Sequence, residues 1–206
     1  MTTIAIIGTG KVGSALGRRL AVTGHDVVFG ARGPVDELIA SIGERASAAP
    51  PGEAAARVDV VVLAVPGAVA VEAARDLGDL EGKVLVDATN PLKIDRGPVW
   101  DPPAAGSTAQ ALQAVLPKAH VVKGLNTFGA EFHSAPTVAG QPLTTFLAGD
   151  EGKDRVADLL RSAGFDPVDA GPLRNASLLE NVAILWIYLA MVEGQGRDFA
   201  FQLVRR

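Results

Sequence analysis

Short apolar runs alternate with stretches of helical spacing along the first 125 residues of the chain. The runs TIAII (3–7), DVVFG (26–30), DVVVLAV (59–65), KVLVDA (83–88) and AHVVKGL (119–125) are continuously apolar rather than alternating. That is the pattern of parallel strands covered on both faces. Between them, Val12, Ala15, Leu16, Arg19 and Leu20 recur at helical spacing, and a second helix is expected from Ser107 to Leu116. The latter opens with Ser107-Thr108-Ala109-Gln110, a capping-box pattern. Strand–helix alternation of this kind predicts an α/β fold, a doubly wound and mostly parallel sheet of the Rossmann type, with ligands at the carboxyl ends of its strands.

Other stretches are less regular. Residues 33–57 are rich in Ala, Pro and Gly, so a third strand there is expected to be short or irregular. The segment LKIDRGPVWDPPAAG (92–106) reads as a long loop, either a lid or binding loop or a mobile insertion. Beyond residue 126 the pattern predicts a strand at 144–149, a helix at 151–163 and a strand at 165–170. A long helix then opens with Ser177-Leu178-Leu179-Glu180, a second capping-box pattern. From about residue 127 this amounts to a C-terminal extension of the sheet with a long covering helix, so residues 1–206 are expected to form a single domain. The 11 residues VAILWIYLAMV (182–192) are apolar on every side. They fall short of the roughly 18–20 residues needed to cross a bilayer, which points to a buried core or a subunit interface, and a homodimer is expected.

Composition narrows the classes. Hydrophobic residues make up 48% and charged residues 20% of the 206, enough for a sizeable core. A net charge of −4 gives no electrostatic footprint for nucleic acid or an anionic membrane. The absence of cysteine removes thiolate nucleophiles, zinc–thiolate sites and iron–sulfur clusters. The opening MTTIAIIG lacks the features of a signal peptide, and a cytoplasmic protein is expected.

The strongest motif is Gly8-Thr9-Gly10-Lys11-Val12-Gly13, directly after the first strand and opening a helix. Gly8 suits the tight turn, Gly10 leaves room for a pyrophosphate against the backbone, and Gly13 allows close helix–strand packing. The helix N-terminus offers free N–H groups to the anion. A site selective for NAD places an acid about 20 residues further on, at the tip of the second strand. Here the tip is Gly30-Ala31-Arg32, and Arg32 suits a 2′-phosphate instead, so NADP(H) is the expected cofactor.

Hydride exchange with a nicotinamide requires positioning and exclusion of water above all, and no catalytic acid or base is assigned. No Ser-His-Asp arrangement, paired-carboxylate motif or metal-ligand spacing is visible. His25 and His120 read as structural, whereas His133, in an expected loop, is a minor candidate for lining the site. The strand ends Ala64-Val65-Pro66, Thr89-Asn90-Pro91 and Lys123-Gly124-Leu125-Asn126-Thr127 should open onto one crevice. Asn90 and Asn126 are the candidates there for hydrogen-bonding an amide or a ribose.

Four segments, GTGKVGSALGRRLAVTGHDVVFGARGP, VDATNPL, VVKGLNTFGAEF and VDAGPLRNASLLENVA, together resemble the F420-dependent NADP oxidoreductases. They are also similar to the cytoplasmic oxidoreductase domain of the six-transmembrane ferric reductases. The resemblance runs over nearly the whole chain. It implies that Thr9, Gly10, Lys11, Val12 and Arg32 hold NADP, and that coenzyme F420, a deazaflavin, stacks on the nicotinamide to exchange hydride directly. It further implies a crevice walled by the 92–106 loop and residues near 126–133, where Lys93 and Arg96 meet the acidic tail of the deazaflavin. VVKGLNTFGAEF is closer to the ferric-reductase version, since the archaeal enzymes have histidine in place of Asn126. FMN, FAD or a metal chelate as acceptor, and an NADP(H) sensor without turnover, are the alternatives.

Overall fold

Alternate residues of β1 (Thr3–Ile7) face opposite sides of the sheet, with Ile4 and Ile6 in one apolar cluster and Ala5 and Ile7 in the other. The computed structural model describes residues 1–206. The first half of the chain runs through α1 (Lys11–Val22), β2 (Asp26–Gly30), α2 (Asp36–Ile42), β3 (Ala46–Ala49), α3 (Pro51–Ala56), β4 (Val60–Leu63), α4 (Ala70–Arg75) and β5 (Val84–Asp87). A small antiparallel hairpin of β6 (Leu92–Ile94) and β7 (Pro98–Trp100) follows, then α5 (Thr108–Val115) and β8 (His120–Lys123). The remainder comprises β9 (Thr137–Val138), β10 (Gln141–Pro142), β11 (Thr144–Gly149), α6 (Lys153–Ser162), β12 (Asp166–Asp169) and α7 (Ala176–Met191).

The main sheet has eight strands in the order β12-β11-β8-β5-β4-β1-β2-β3. The six from β8 to β3 are mutually parallel, β11 runs antiparallel to β8, and β12 runs parallel to β11. The doubly wound sheet expected from the apolar runs is therefore present, extended by two strands of reversed direction. The third strand is short, as its small-residue sequence implied. No helix is long and apolar enough to cross a membrane.

Two local expectations are overturned. Residues 92–106 are not a free loop: the hairpin folds back so that the Asp101 N–H donates to Pro91 O, and Trp100 Nε1 donates to Glu180 Oε2 at 3.0 Å. Lys93 pairs with Asp101 at 3.0 Å. Ser177 and Glu180 do not form a capping box. The helix begins one residue earlier, the Ser177 hydroxyl donates to Arg174 O, and the Glu180 carboxylate turns into the core, where buried donors await it. The apolar helix α7, expected to lie in the core or at a subunit interface, is covered on one side within this chain. Leu179, Ala183, Trp186 and Ala190 are buried, while Leu178, Leu185, Tyr188 and Val192 stand exposed.

The histidines are built into packing. His25 Nε2 lies 2.8 Å from Ser162 Oγ, and the fully buried His133 bonds Leu125 O at 3.0 Å and packs on Phe128. His133 sits in a 3-10 turn (Ala130–His133) and lines no site, which corrects the expectation for it. Burial holds the pKa of both rings below the ordinary imidazole value; for His25 the N-terminal ammonium adds to the effect. The unfolded chain therefore takes up protons first as pH falls through about 6.5, and native stability falls with it until the buried rings titrate. Urea unfolding should show a midpoint that drops between pH 7.5 and 5.5. His133→Gln, which keeps a donor for Leu125 O, should make that drop shallower; an unchanged pH slope would contradict the assignment.

Candidate functional site

Strand register places the carboxyl ends of the central strands side by side. Ile7 pairs with Gly30 on one flank and Leu63 on the other; Leu63 pairs with Asp87, and Asp87 with Lys123. The chain reverses its direction of winding between β1 and β4, and the crevice at that switch point is where ligands bind in such sheets. A cleft of about 430 Å³ opens there. Gly8, Thr9, Gly10, Arg32, Ala64, Val65 and Pro66, all singled out in the sequence, line it.

The turn after β1 is shaped by what glycine omits. Gly8 has φ +110°, and a Cβ there would lie 2.4 Å from Ala64 O. A Cβ on Gly13 would lie 2.0 Å from Gly8 O, so the first turn of α1 is pressed directly against the loop. A Cβ on Gly10 would meet nothing within 4 Å: the backbone there is bare and faces open space. Gly10 caps α1 without a side-chain bond, leaving the N–H groups of the first turn, from Lys11, Val12 and Gly13, without helical partners. The Ser14 hydroxyl donates to Thr9 O at 2.8 Å and steadies the turn from below. These residues fit a dinucleotide pyrophosphate: donors point outward and no side chain fills the cradle.

Arg32 lies on the rim of the same cleft, exposed and without an ion-pair partner. No acid occupies the tip of β2. The far wall is formed by Pro51, Val69 and Ala73, with Glu72 and Asp76 at its edge. Sequence reasoning missed this wall because α4 is short, and its cleft-facing side shows only once the strand order is known.

The remaining candidates, Asn90, Pro91 and Asn126, do not line that cleft; they close the next two strands along. Asn90 Nδ2 donates to the backbone oxygen of Asn126 at 3.0 Å, and Asn126 Nδ2 donates to Asn90 Oδ1 at 2.9 Å and to Leu179 O at 3.2 Å. The two side chains are thus tied to each other, and Asn126 Oδ1 is buried without a donor.

Beneath them lies a cluster that sequence reasoning did not identify. The fully buried Lys123 sends Nζ to Asp87 Oδ2 at 2.9 Å, to Glu180 Oε1 at 3.3 Å and to Thr89 O. Asp87 Oδ1 accepts from the Thr89 N–H and hydroxyl at 2.9 and 2.7 Å. Glu180 Oε1 also accepts from the Thr108 N–H at 2.9 Å. The available signal was a charged residue closing an otherwise apolar run, in VLVD and HVVK.

Near the first turn of α1, Glu131 is held in the ionised form. The Arg197 guanidinium bonds both of its oxygens, at 2.7 and 3.1 Å, and lowers its pKa, helped by nearby Lys11. Arg197 lies 5.4 Å from the centre of the Trp186 ring, so the chain after α7 is fastened close to this end of the sheet.

Comparison with known proteins agrees with this geometry. A family described as NADP oxidoreductase, coenzyme F420-dependent, matches residues 3–91. A crystal structure of a candidate F420-dependent NADP reductase from Arthrobacter sp. FB24 superposes with a TM-score of 0.89, 32% identity and 100% coverage of both chains. The F420-dependent NADP reductase of Methanothermobacter marburgensis is 28% identical over 90% of this chain and 91% of its own length. Mouse metalloreductase STEAP2 is 26% identical over 88% of this chain, which spans only 36% of that protein. The chain belongs to the F420-dependent NADP oxidoreductase family.

Proposed function

We propose that this chain is an oxidoreductase that exchanges hydride between NADP(H) and coenzyme F420. One observation carries the NADP(H) part of the reading: a bare turn after β1 and an unpaired Arg32 share a single cleft, with no acid at the strand tip. In this reading Gly8, Thr9 and Gly10 and the first N–H groups of α1, from Lys11 to Gly13, receive the pyrophosphate. Arg32 holds the 2′-phosphate, and Ala64, Val65 and Pro66 support the dinucleotide along its length. The nicotinamide half extends toward Asn90, Pro91 and Asn126.

The bound dinucleotide supplies the carbon that carries hydride. The chain's own part is to orient that ring and keep water away, with Asn90 and Asn126, after β5 and β8, standing at that end of the sheet. No side chain is assigned as acid or base. Coenzyme F420 as acceptor is supported by the family description and by the methanogen reductase, which aligns almost end to end. A flavin (FMN or FAD) or a ferric chelate is the second reading, favoured by the similarity to the metalloreductases.

The apolar stripe on α7 bears on assembly. Leu178, Leu185 and Val192 recur every seven residues with Tyr188 beside them, the spacing of a helix–helix seam, and Ile94 on the hairpin is also exposed. We infer a homodimer that buries this stripe. Light scattering should report twice the chain mass, falling to one chain with Leu185→Asp; a monomeric wild type would refute the dimer.

Anaerobic mixing of the protein and NADPH with oxidised coenzyme F420 should bleach the deazaflavin rapidly and only in the presence of the protein. Intact NADPH binding without bleaching would move the acceptor to flavin or ferric chelates, and binding without turnover of any acceptor would favour a sensor. Arg32→Ala should weaken NADPH by about 1.5–3 kcal/mol, the range for hydrogen bonds to charged groups, and leave NADH nearly unchanged. Equal losses for the two would remove Arg32 from the 2′-phosphate.

A further inference from the structure

Two turns form the end of the sheet assigned above to the nicotinamide half: Ala88-Thr89-Asn90 after β5, and Gly124-Leu125-Asn126 after β8. The first is tied locally by the bonds from Thr89 to Asp87, whereas the second is not secured by its own sequence. Leu125 has φ +62°, a left-handed conformation that costs a branched residue energy and persists only where its surroundings hold it. Leu125 itself donates its N–H to the Thr145 hydroxyl and is met at its carbonyl by His133, while two adjacent residues of α7 hold Lys123 and Asn126 on either side. Leu179 O accepts from Asn126 Nδ2, and Glu180 faces the ammonium of Lys123, which in turn binds Asp87 and the carbonyl of Thr89. The second oxygen of Glu180 accepts from Trp100, so the hairpin that begins just after Pro91 is fastened to the same carboxylate.

We propose that Glu180 is the positioning residue for the nicotinamide half of the dinucleotide, acting through Lys123 and Trp100 rather than by touching the ligand. A buried ionic cluster is a poor source of stability, since desolvation offsets most of the attraction and apolar residues of similar volume often do as well. Its yield is geometry. One side chain fixes the last residue of β8, the first turn of α5 and the hairpin at once, with none of the three connected by local sequence. The phosphate turn lies at the end of β1 and Arg32 beyond β2, separated from the cluster by β4, and neither contacts it. Disturbing Glu180 should therefore loosen one half of the cofactor and spare the other.

This inference rests on the reading that NADP(H) occupies the crevice, and its test separates the two claims. Calorimetry on the full chain would compare NADPH with 2′-phospho-ADP-ribose, which keeps the phosphates and adenine but lacks the nicotinamide. In Glu180→Gln the new amide can no longer accept from both Trp100 and Thr108. NADPH should weaken by about three- to tenfold, the worth of one hydrogen bond, while 2′-phospho-ADP-ribose stays within about twofold. Trp100→Phe, which removes the indole N–H together with its five-membered ring but leaves the Glu180 carboxylate in place, should shift NADPH in the same direction by a smaller factor. Parallel weakening of both ligands would mark a merely structural role and overturn the proposal, as would two unchanged affinities in both variants. A wild-type chain that binds the two ligands equally would overturn it as well. A wild-type chain that binds neither would instead bring down the cofactor reading itself.

Discussion

A single ammonium group inside the protein ties the carboxyl ends of two central strands to the last helix. Lys123 has no solvent exposure, and stripping water from such a charge costs several kcal/mol unless partners replace it. Two carboxylates and a carbonyl do so, and the carboxylates in turn receive the Thr89 N–H and hydroxyl, the Thr108 N–H and the indole of Trp100. Every oxygen of Asp87 and Glu180 thus has a donor. The cluster cannot be shifted piecemeal: displacing any member leaves a charge or a polar group unpaired in the interior, at a cost that exceeds the loss of an ordinary surface contact. β5, β7, β8, α5 and α7 are therefore held to one arrangement at the edge of the crevice.

The other end of the crevice obeys a different constraint. Where β1 and β4 meet, the limit is space rather than charge. A methyl group on Gly8 or Gly13 would collide with a backbone carbonyl, whereas one on Gly10 would project into the open cleft. Collisions on two sides and emptiness on the third define a surface of backbone N–H groups that a phosphate can approach. Such a surface needs few long-range contacts, because the parallel register of β1, β2 and β4 and the hydrogen bond from Ser14 to Thr9 already hold it.

This difference explains what could be read from the chain beforehand. The parallel strands, the phosphate turn and Arg32 were legible because their signals are local: apolar runs, three glycines at fixed spacing, and a residue at a strand tip. The C-terminal strands and α6 were legible for the same reason. Glu180 was not, since SLLE reads equally well as a helix cap and as a helix with one acid turned inward; only the distant donors Thr108 and Trp100 decide between them. The 92–106 segment lacked helical or long strand spacing, and its order comes from that same contact. Asn90 and Asn126 were picked out by chemical type, but their mutual hydrogen bonds depend on the pairing of β5 with β8. For α7 the composition implied burial without saying which side, and Leu178, Leu185, Tyr188 and Met191 are left facing outward.

The two halves of the crevice are therefore open to change in different degrees. A turn made of bare backbone beside one free arginine needs little sequence to encode it. The far end is encoded in side chains from four separate elements and the backbone of a fifth, and a substitution in any of them disturbs the whole cluster. Relatives as different as a methanogen reductase and mammalian metalloreductases align with this chain at 28% and 26% identity, over nine-tenths of its length or nearly so. A surface carried by the backbone and a buried, cooperative set of side chains tolerate substitution to different extents, because the first asks little of side-chain identity and the second asks it of every member.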